Sequence, residues 1–342
     1  MKLLTLLFSL TLSTCFSQDT ITSIAFGSCA HQDKPTPILN LIPTHHPDLF
    51  IFLGDNIYAD TKKMSLMKKK YKKLGKKPEY KKLKETTPIL ATWDDHDYGM
   101  NDVGRHYEKK KQSKKIFLKF FHEPKNSERR KHEGIYTSYM YHVDGKTLQI
   151  ILLDNRTFRD DLLPYDGTLN NDSLYNYDMD YSPIQTTDST LLGDMQWKWL
   201  ETELLKPADV RIIGSSTQFA TQFNGYETWA NFPREQERMF NLINSTKANG
   251  VFFISGDVHY SELSKRKDTG TYPIYDLTAS GLTEEWKFAT PNKYRVGNAV
   301  MDNHFGMINI DWKAPGINVT LEIWDVNNQL RIQQLINMND LK

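Results

Sequence analysis

The chain has 342 residues, 39% hydrophobic and 25% charged, with 43 Lys and Arg against 42 Asp and Glu. That length carries a large core, as one big α/β domain or two smaller ones, and the composition excludes a disordered chain. A net charge of +1 selects no partner.

The opening MKLLTLLFSLTLSTCFS places Lys2 before an uncharged run from Leu3 to Leu12 and small residues up to Ser17. This is the layout of a secretory signal peptide, expected over residues 1–17. Cleavage after Ser17 removes Cys15 and leaves Cys29 as the sole cysteine. In the alternative, Leu12-Ser13-Thr14-Cys15 resembles a bacterial lipobox, with Cys15 kept as a lipidated N-terminus; Thr14 is unusual there, so cleavage is the expected outcome. No later apolar run approaches the roughly 18 residues that span a bilayer. The expectation is an exported protein, periplasmic, extracellular or at the cell surface.

After the signal, short apolar runs recur, each with a polar cluster at its C-terminal end: SIAFGSC, DLFIFLGDNIY, PILATWDDHD, LQIILLDNRTFR, VRIIGSSTQ and VFFISGDVHYSE. Such runs, rich in Ile, Val, Leu and Phe and bounded by Gly, Asp or Ser, read as strands buried on both faces. Helical stretches lie between them, at 62–85, 113–121, 194–205 and 233–248. The first holds 12 lysines, but Met64, Met67, Tyr71, Leu74, Tyr80 and Leu83 recur at helical spacing. The lysines then occupy the solvent side of two short amphipathic helices broken near Pro78, and no nucleic-acid partner is required. From Tyr272 onward, YPIYDLTASG, GMINIDW, GINVTLEIWDV and LRIQQLINM read as antiparallel completion of a second sheet. No linker or repeat divides residues 18–342, which are expected to form a single domain of two packed sheets with helices outside.

In layered α/β sheets, ligands sit beyond the carboxyl ends of strands. Cys29, Asp55, Tyr58, Asp94, Asp95, His96, Asp97, Asp257 and His259 all fall there. Singly, each is as well explained by a turn or a core position; together, so many carboxylates require cations to offset their repulsion. Asp55-x-x-Tyr58 and Asp257-x-His259 each offer two ligands from one turn, which suits two metals better than one. Thiolate, imidazole and phenolate favour iron or zinc, and an oxygen-rich neighbour favours calcium, manganese or magnesium.

The series GSC, GDNIY, ATWDDHDYGMND, LLDNRTFRD, LLGDMQWKWLE, IIGSSTQ, NFPREQER, SGDVHYSEL and YDLTASGL resembles the PhoD-type alkaline phosphatase and phosphodiesterase family of metallophosphoesterases, related to purple acid phosphatases. The resemblance implies a four-layer αββα sandwich of two mixed sheets flanked by helices, and a binuclear or larger metal centre. On the family pattern Asp55 bridges the metals. Tyr58, Cys29 and His259 complete a ferric-type site, and Asp95 and Asp257 hold a second ion, calcium in some members; zinc, manganese and magnesium stay open. A metal-bound hydroxide would attack phosphorus, with His96 steadying the phosphate or protonating the leaving oxygen. Arg156 and Arg159 are candidate phosphate clamps, though Arg159 equally suits pairing with Asp160 or Asp161. Asn56 and Gln218 are candidates for metal or substrate contact, Gln218 standing where related enzymes often place a histidine. Asp94 and Asp97 would orient His96 or hold an additional calcium.

The implied partner is a small phosphate ester, monoester or diester, with no protein partner. The rival from another class is an exported calcium-binding protein whose aromatics contact a glycan or surface polymer. That rival explains the Asp-rich turns but not Cys29 or His96. The loop LLPYDGTLNNDSLYNYDMDYSPIQTTD is either a substrate rim or a solvated surface loop.

Overall fold

The computed structural model describes residues 21–167, 175–270 and 272–342. The expected signal peptide over 1–17, with Cys15, and part of the Tyr-rich loop lie outside them. The strands, in chain order, are β1 (Ser23–Gly27), β2 (Leu49–Leu53), β3 (Ile89–Thr92), β4 (Thr137–Val143), β5 (Lys146–Leu152), β6 (Leu163–Pro164), β7 (Tyr181–Ser182) and β8 (Val210–Ser215). They continue as β9 (Val251–Ser255), β10 (Ser261–Arg266), β11 (Ile274–Ala279), β12 (Arg295–Val300), β13 (His304–Asp311), β14 (Asn318–Asp325) and β15 (Leu330–Asn337). The α-helices are α1 (Ile38–Leu41), α2 (Met64–Lys76), α3 (Pro78–Thr86), α4 (Asp95–Tyr98), α5 (Lys110–Phe120), α6 (Gly193–Leu204) and α7 (Pro233–Ser245).

Two mixed sheets form. One runs β15-β14-β13-β1-β2-β3, the other β12-β10-β11-β9-β8-β5-β4, while β6 and β7 make a small ribbon of their own. Strand periodicity assigns the layers. On β1 and β2, Ile24, Phe26, Ile51 and Leu53 enter one core with Ile150, Ile212 and Phe252 of the second sheet. The alternate residues Ala25, Phe50 and Phe52 enter a second core with Met67, Tyr71 and Leu74 of α2, Leu83 of α3 and Phe117 of α5. Residues two apart share a face, so a strand apolar at every position must be covered on both sides. On the far side α6 and α7 contribute Trp197, Leu200, Met239 and Ile243 to the first core. The order is helix, sheet, sheet, helix.

The C-terminal strands correct one expectation. β13, β14 and β15 complete the first sheet, not the second, with β13 antiparallel to β1. Of that region, β11 enters the second sheet, parallel to β9, and β12 ends that sheet, antiparallel to β10. Alternation reports that a strand is buried, but not which sheet it joins. Three further strands of the second sheet were not expected, β4 and β12 at its two ends and β10 beside β12, nor was the ribbon of β6 and β7. β4 is half-buried along most of its length, so it carries no apolar run.

The helix breaks fall where the chain chemistry puts them. α2 ends at Lys76, and α3 begins with Pro78, whose fixed φ suits a first helical turn. The parallel strands β1, β2 and β3 of one sheet, and β5, β8 and β9 of the other, carry the polar clusters at their carboxyl ends.

Candidate metal centre

The turns that leave these strands are tight. Cys29, Asp55, Asp257 and His259 have φ of 62°, 49°, 81° and 58°, the left-handed region that non-glycine residues rarely enter. Such conformations cost of order 1–3 kcal/mol each and concentrate at functional sites. Here they swing a ligand-capable side chain out of each strand end. Gly54, at φ 110°, lets β2 approach the next strand: a Cβ there would lie 2.5 Å from Cβ of Asp94.

Three sets of side chains bring one donor atom each to within 4.8 Å of one another: Cys29 with Asp55 and His259; Asp55 with Asp95 and His96; and Asp55 with Asp94, Asp95 and Asp257. Asp55 belongs to all three. Cys29 Sγ is 3.6 Å from Asp55 Oδ2 and 3.6 Å from the Asp257 carbonyl oxygen. The Tyr58 hydroxyl is 3.0 Å from His259 Nε2. The Tyr58 ring lies between two imidazoles, stacked on His31 at 4.7 Å and tilted against His96 at 4.2 Å.

The electrostatics of this cluster are those of acids crowded without countercharge. Burial, then the Asp95 carboxylate, pushes Asp55 well above the usual range. Burial and Asp94 do the same to Asp257. The Cys29 thiol is raised by burial and by Asp55, and the Tyr58 phenol by burial and by Cys29. Asp94 is pushed up to about 6, again chiefly by burial. Asp95 is the exception: burial acts on it too, but Arg156 and His96 outweigh burial and hold its carboxyl below the usual range. Four buried oxygens, Asp55 Oδ1, Asn56 Oδ1, Asp94 Oδ2 and Asp95 Oδ1, have no hydrogen-bond partner among the described residues. A buried acceptor without a donor is costly, and a cation supplies what is missing. The residues therefore fit a metal group, with soft and aromatic donors on the Cys29 side of Asp55 and oxygens alone on the Asp94, Asp95 and Asp257 side.

Not every expected site residue stands as expected. Arg156 is fully buried; its Nη1 donates to both Glu227 oxygens, at 2.8 and 2.7 Å, and its Nε to Asp94 Oδ1 at 2.5 Å. That guanidinium braces carboxylates instead of clamping phosphate. Arg159 donates to the carbonyl oxygens of Asp160 and Asp102, at 2.7 and 2.5 Å, and its Nε is 3.1 Å from Glu227. Gln218 Nε2 donates to Glu262 and Thr278, at 2.8 and 3.0 Å, while its buried Oε1 has no hydrogen-bond partner among the described residues. Asp97 is occupied locally: it accepts from the Asp94 N–H, Asn56 Nδ2 and the Tyr71 hydroxyl, so it does not orient His96.

The residue beside His96 is one the sequence reading missed. His96 Nδ1 lies 2.7 Å from Asp60 Oδ1. Asp60 sits two residues past Tyr58 in GDNIYAD, which is the only signal that could have found it. Glu227, in NGYETW, follows no strand end and carried no signal at all. Asp102 was also missed; its N–H donates to Asp95 Oδ2 at 2.8 Å, and it accepts from the Tyr181 hydroxyl.

With that geometry in view, the comparison with protein families is decisive: the PhoD-like phosphatase model matches residues 24–292. The chain belongs to the PhoD-like phosphatase family. Among curated proteins, alkaline phosphatase D of Bacillus subtilis (strain 168) is 26% identical over 191 residues, covering 51% of this chain. The match spans 31% of that relative's length. A solved structure described as that of PhoD superposes with a TM-score of 0.64 at 17% identity, covering 91% of this chain and 71% of the other. The structure of GAP50, described as the anchor in the inner membrane complex of Plasmodium, gives 0.55 at 12% identity, covering 93% and 89%. At those identities the two structures establish a shared fold. No described helix is long and apolar enough to cross a membrane.

Proposed function

We propose that this PhoD-like protein is an exported, metal-dependent phosphoesterase that hydrolyses phosphate monoesters, diesters or both. The observation that carries the reading is Asp55, whose carboxylate is common to all three candidate ligand sets while one of its buried oxygens has no hydrogen-bond partner among the described residues. The fold alone does not decide catalysis, since a protein described as an anchor shares it. The donor set discriminates. A calcium-binding protein without catalysis would have no use for a thiol, a phenol and an imidazole grouped on one side of Asp55.

In this reading Cys29, Tyr58, His259 and Asp55 would hold one cation, iron(III) suiting a set in which thiolate, phenolate and carboxylate are anionic, and Asp55, Asp95 and Asp257 would hold a second, calcium suiting oxygen donors alone, with Asp94 and Asn56 available to it. When bound, the pair supplies Lewis-acid activation of water and screens the charge on the phosphoryl oxygens. The chain does the rest. Asp60 accepts the Nδ1 proton of His96 and thereby fixes the ring, whose Nε2 lies 4.0 Å from Asp95 Oδ2. Burial works against the charge on His96, but Asp55, Asp95 and Asp60 together push its pKa up to about 11. Of these three carboxylates, Asp60 is the one outside the candidate ligand sets, and its hydrogen bond at Nδ1 favours a ring protonated at Nε2 as well. As water adds to phosphorus and the ester P–O bond breaks, that proton passes to the leaving oxygen. Arg156 acts through Asp94 and Asp95, holding both carboxylates in place.

The test is metal analysis of the purified protein together with hydrolysis of a chromogenic phosphomonoester and the matching diester. Turnover of either ester by metal-replete protein, lost on chelation, is the expected result; turnover of neither removes the reading.

A further inference from the structure

Beside the acidic cluster lies a set of side chains to which the mechanism gives no work, and they are aromatic. Tyr177 comes from the segment between β6 and β7, Tyr226 from the loop between β8 and α7, and Trp286 and Phe288 from the loop between β11 and β12. Their rings close a circuit. Tyr177 is parallel to Tyr226 within 11° at 6.2 Å, and Tyr226 meets Trp286 edge-on at 4.7 Å. Trp286 meets Phe288 edge-on at 6.4 Å, and Phe288 returns to Tyr177 at 5.2 Å.

Two links fix this wall next to the candidate metal ligands. The backbone N–H of Trp286 donates to the His259 carbonyl oxygen at 2.9 Å. Tyr226 immediately precedes Glu227, the carboxylate that holds Arg156. The phenol hydroxyls are spent on scaffolding: Tyr177 donates to the Asn224 carbonyl and Tyr226 to the Asp178 carbonyl, each at 2.7 Å. What these loops leave for a ligand is ring surface. Phe288 is 41% exposed, Trp286 is half-buried, and the indole N–H has no hydrogen-bond partner among the described residues.

A small aliphatic phosphate ester would leave this surface unused. Aromatic faces together with one free N–H donor match a planar ring that carries an acceptor atom, because such a ring both stacks and accepts. We propose that Trp286, Phe288, Tyr226 and Tyr177 form the subsite for a heteroaromatic ring in the organic part of the substrate, which is then a phosphate ester of the nucleotide class. The proposal rests on the phosphoesterase reading above and deepens it.

Adenosine 5'-monophosphate and ribose 5-phosphate share the reacting group and differ by the ring. For the metal-replete protein, kcat/KM for the first is expected to exceed that for the second roughly tenfold, as stacking of one base commonly gives. Trp286→Leu and Phe288→Ser should each bring the ratio of the two values toward one. Phe288 is exposed, so the second variant answers the question even if the first fails to fold. Adenosine without phosphate should quench tryptophan fluorescence saturably in the parent chain, and Trp286→Leu should remove the saturable part. A ratio near one in the parent chain, an unchanged ratio in both variants, or a quench indifferent to Trp286 overturns the ring subsite and leaves the phosphoesterase reading standing. Hydrolysis of neither ester fails that underlying reading, and the subsite with it.

Discussion

The Nδ1 atom of His96 lies 2.7 Å from Oδ1 of Asp60, and this contact determines which nitrogen of the imidazole is left over beside the acidic cluster. The partner side chain is itself 42% exposed while the imidazole is mostly covered, so a solvated carboxylate steadies a ring that faces inward. Asp60 also adopts the left-handed conformation, with φ 42°, in the turn that follows Tyr58.

Removal of that carboxylate should be read in the pH profile. Asp60 raises the pKa of His96, so Asp60→Asn lowers it, and the alkaline limb of kcat, where the proton on Nε2 is lost, should move down by on the order of one pH unit. A limb that stays in place in Asp60→Asn would mean that His96 is not the proton donor.

Cys29 offers a metal test with a readout apart from turnover. Cys29→Ser should lower bound iron and activity together, while the chelated protein keeps its stability to within about 1 kcal/mol, since the buried hydroxyl is nearly the size of the thiol and can donate to the same Asp55 or Asp257 oxygens. Elemental analysis and denaturant unfolding of the chelated chain are the two measurements. Full iron in the Ser chain would sink the thiolate assignment.

Arg156 predicts a stability effect. Its guanidinium is buried against Asp94 and Glu227, so Arg156→Met strips the bidentate donor from Glu227, which keeps Arg159, and the cation from Asp94, which keeps the Ser216 hydroxyl on its Oδ1. Breaking a buried ion pair by removing one side typically costs about 3–5 kcal/mol. If Arg156→Met unfolded at the parent's denaturant midpoint, the brace would have no energetic weight.

His304 gives a pH-dependent stability signal independent of the metal ligands. It accepts from the Ser280 N–H at Nε2 and donates from Nδ1 to the Asp302 carbonyl, which fixes the neutral tautomer; burial pushes its pKa down to about 4. A histidine with a depressed folded pKa contributes stability that is fully present above the unfolded pKa near 6.5 and is lost as pH falls toward 4. Between pH 7 and pH 5 the parent chain should therefore lose about 2 kcal/mol more than His304→Asn, as read by urea unfolding. Equal losses in the two chains would refute the neutral buried histidine.

Much of this was legible in the sequence because burial on both faces leaves a local trace. The runs ending in Gly27, Leu53, Thr92, Leu152, Ser215 and Ser255 are all strands, and the polar residues after them meet at one edge of the two sheets. The helix break at Pro78 was written in a residue that cannot donate a backbone hydrogen bond.

What the sequence could not determine depends on pairing across distance. Nothing local told β13–β15 to continue the sheet of β1, because an antiparallel neighbour and a sheet-end position produce the same alternation. Nor could it show that Arg156 would be consumed by Glu227, 71 residues away, or that His96 would take Asp60 in preference to the adjacent Asp97. Charged side chains choose partners by the geometry that remains after the strands have packed, and spacing along the chain carries no record of it. The chain by itself determined the fold class, the family resemblance and the ligand-bearing turns; only the tertiary structure decided which of those charges face the cluster and which brace it from behind.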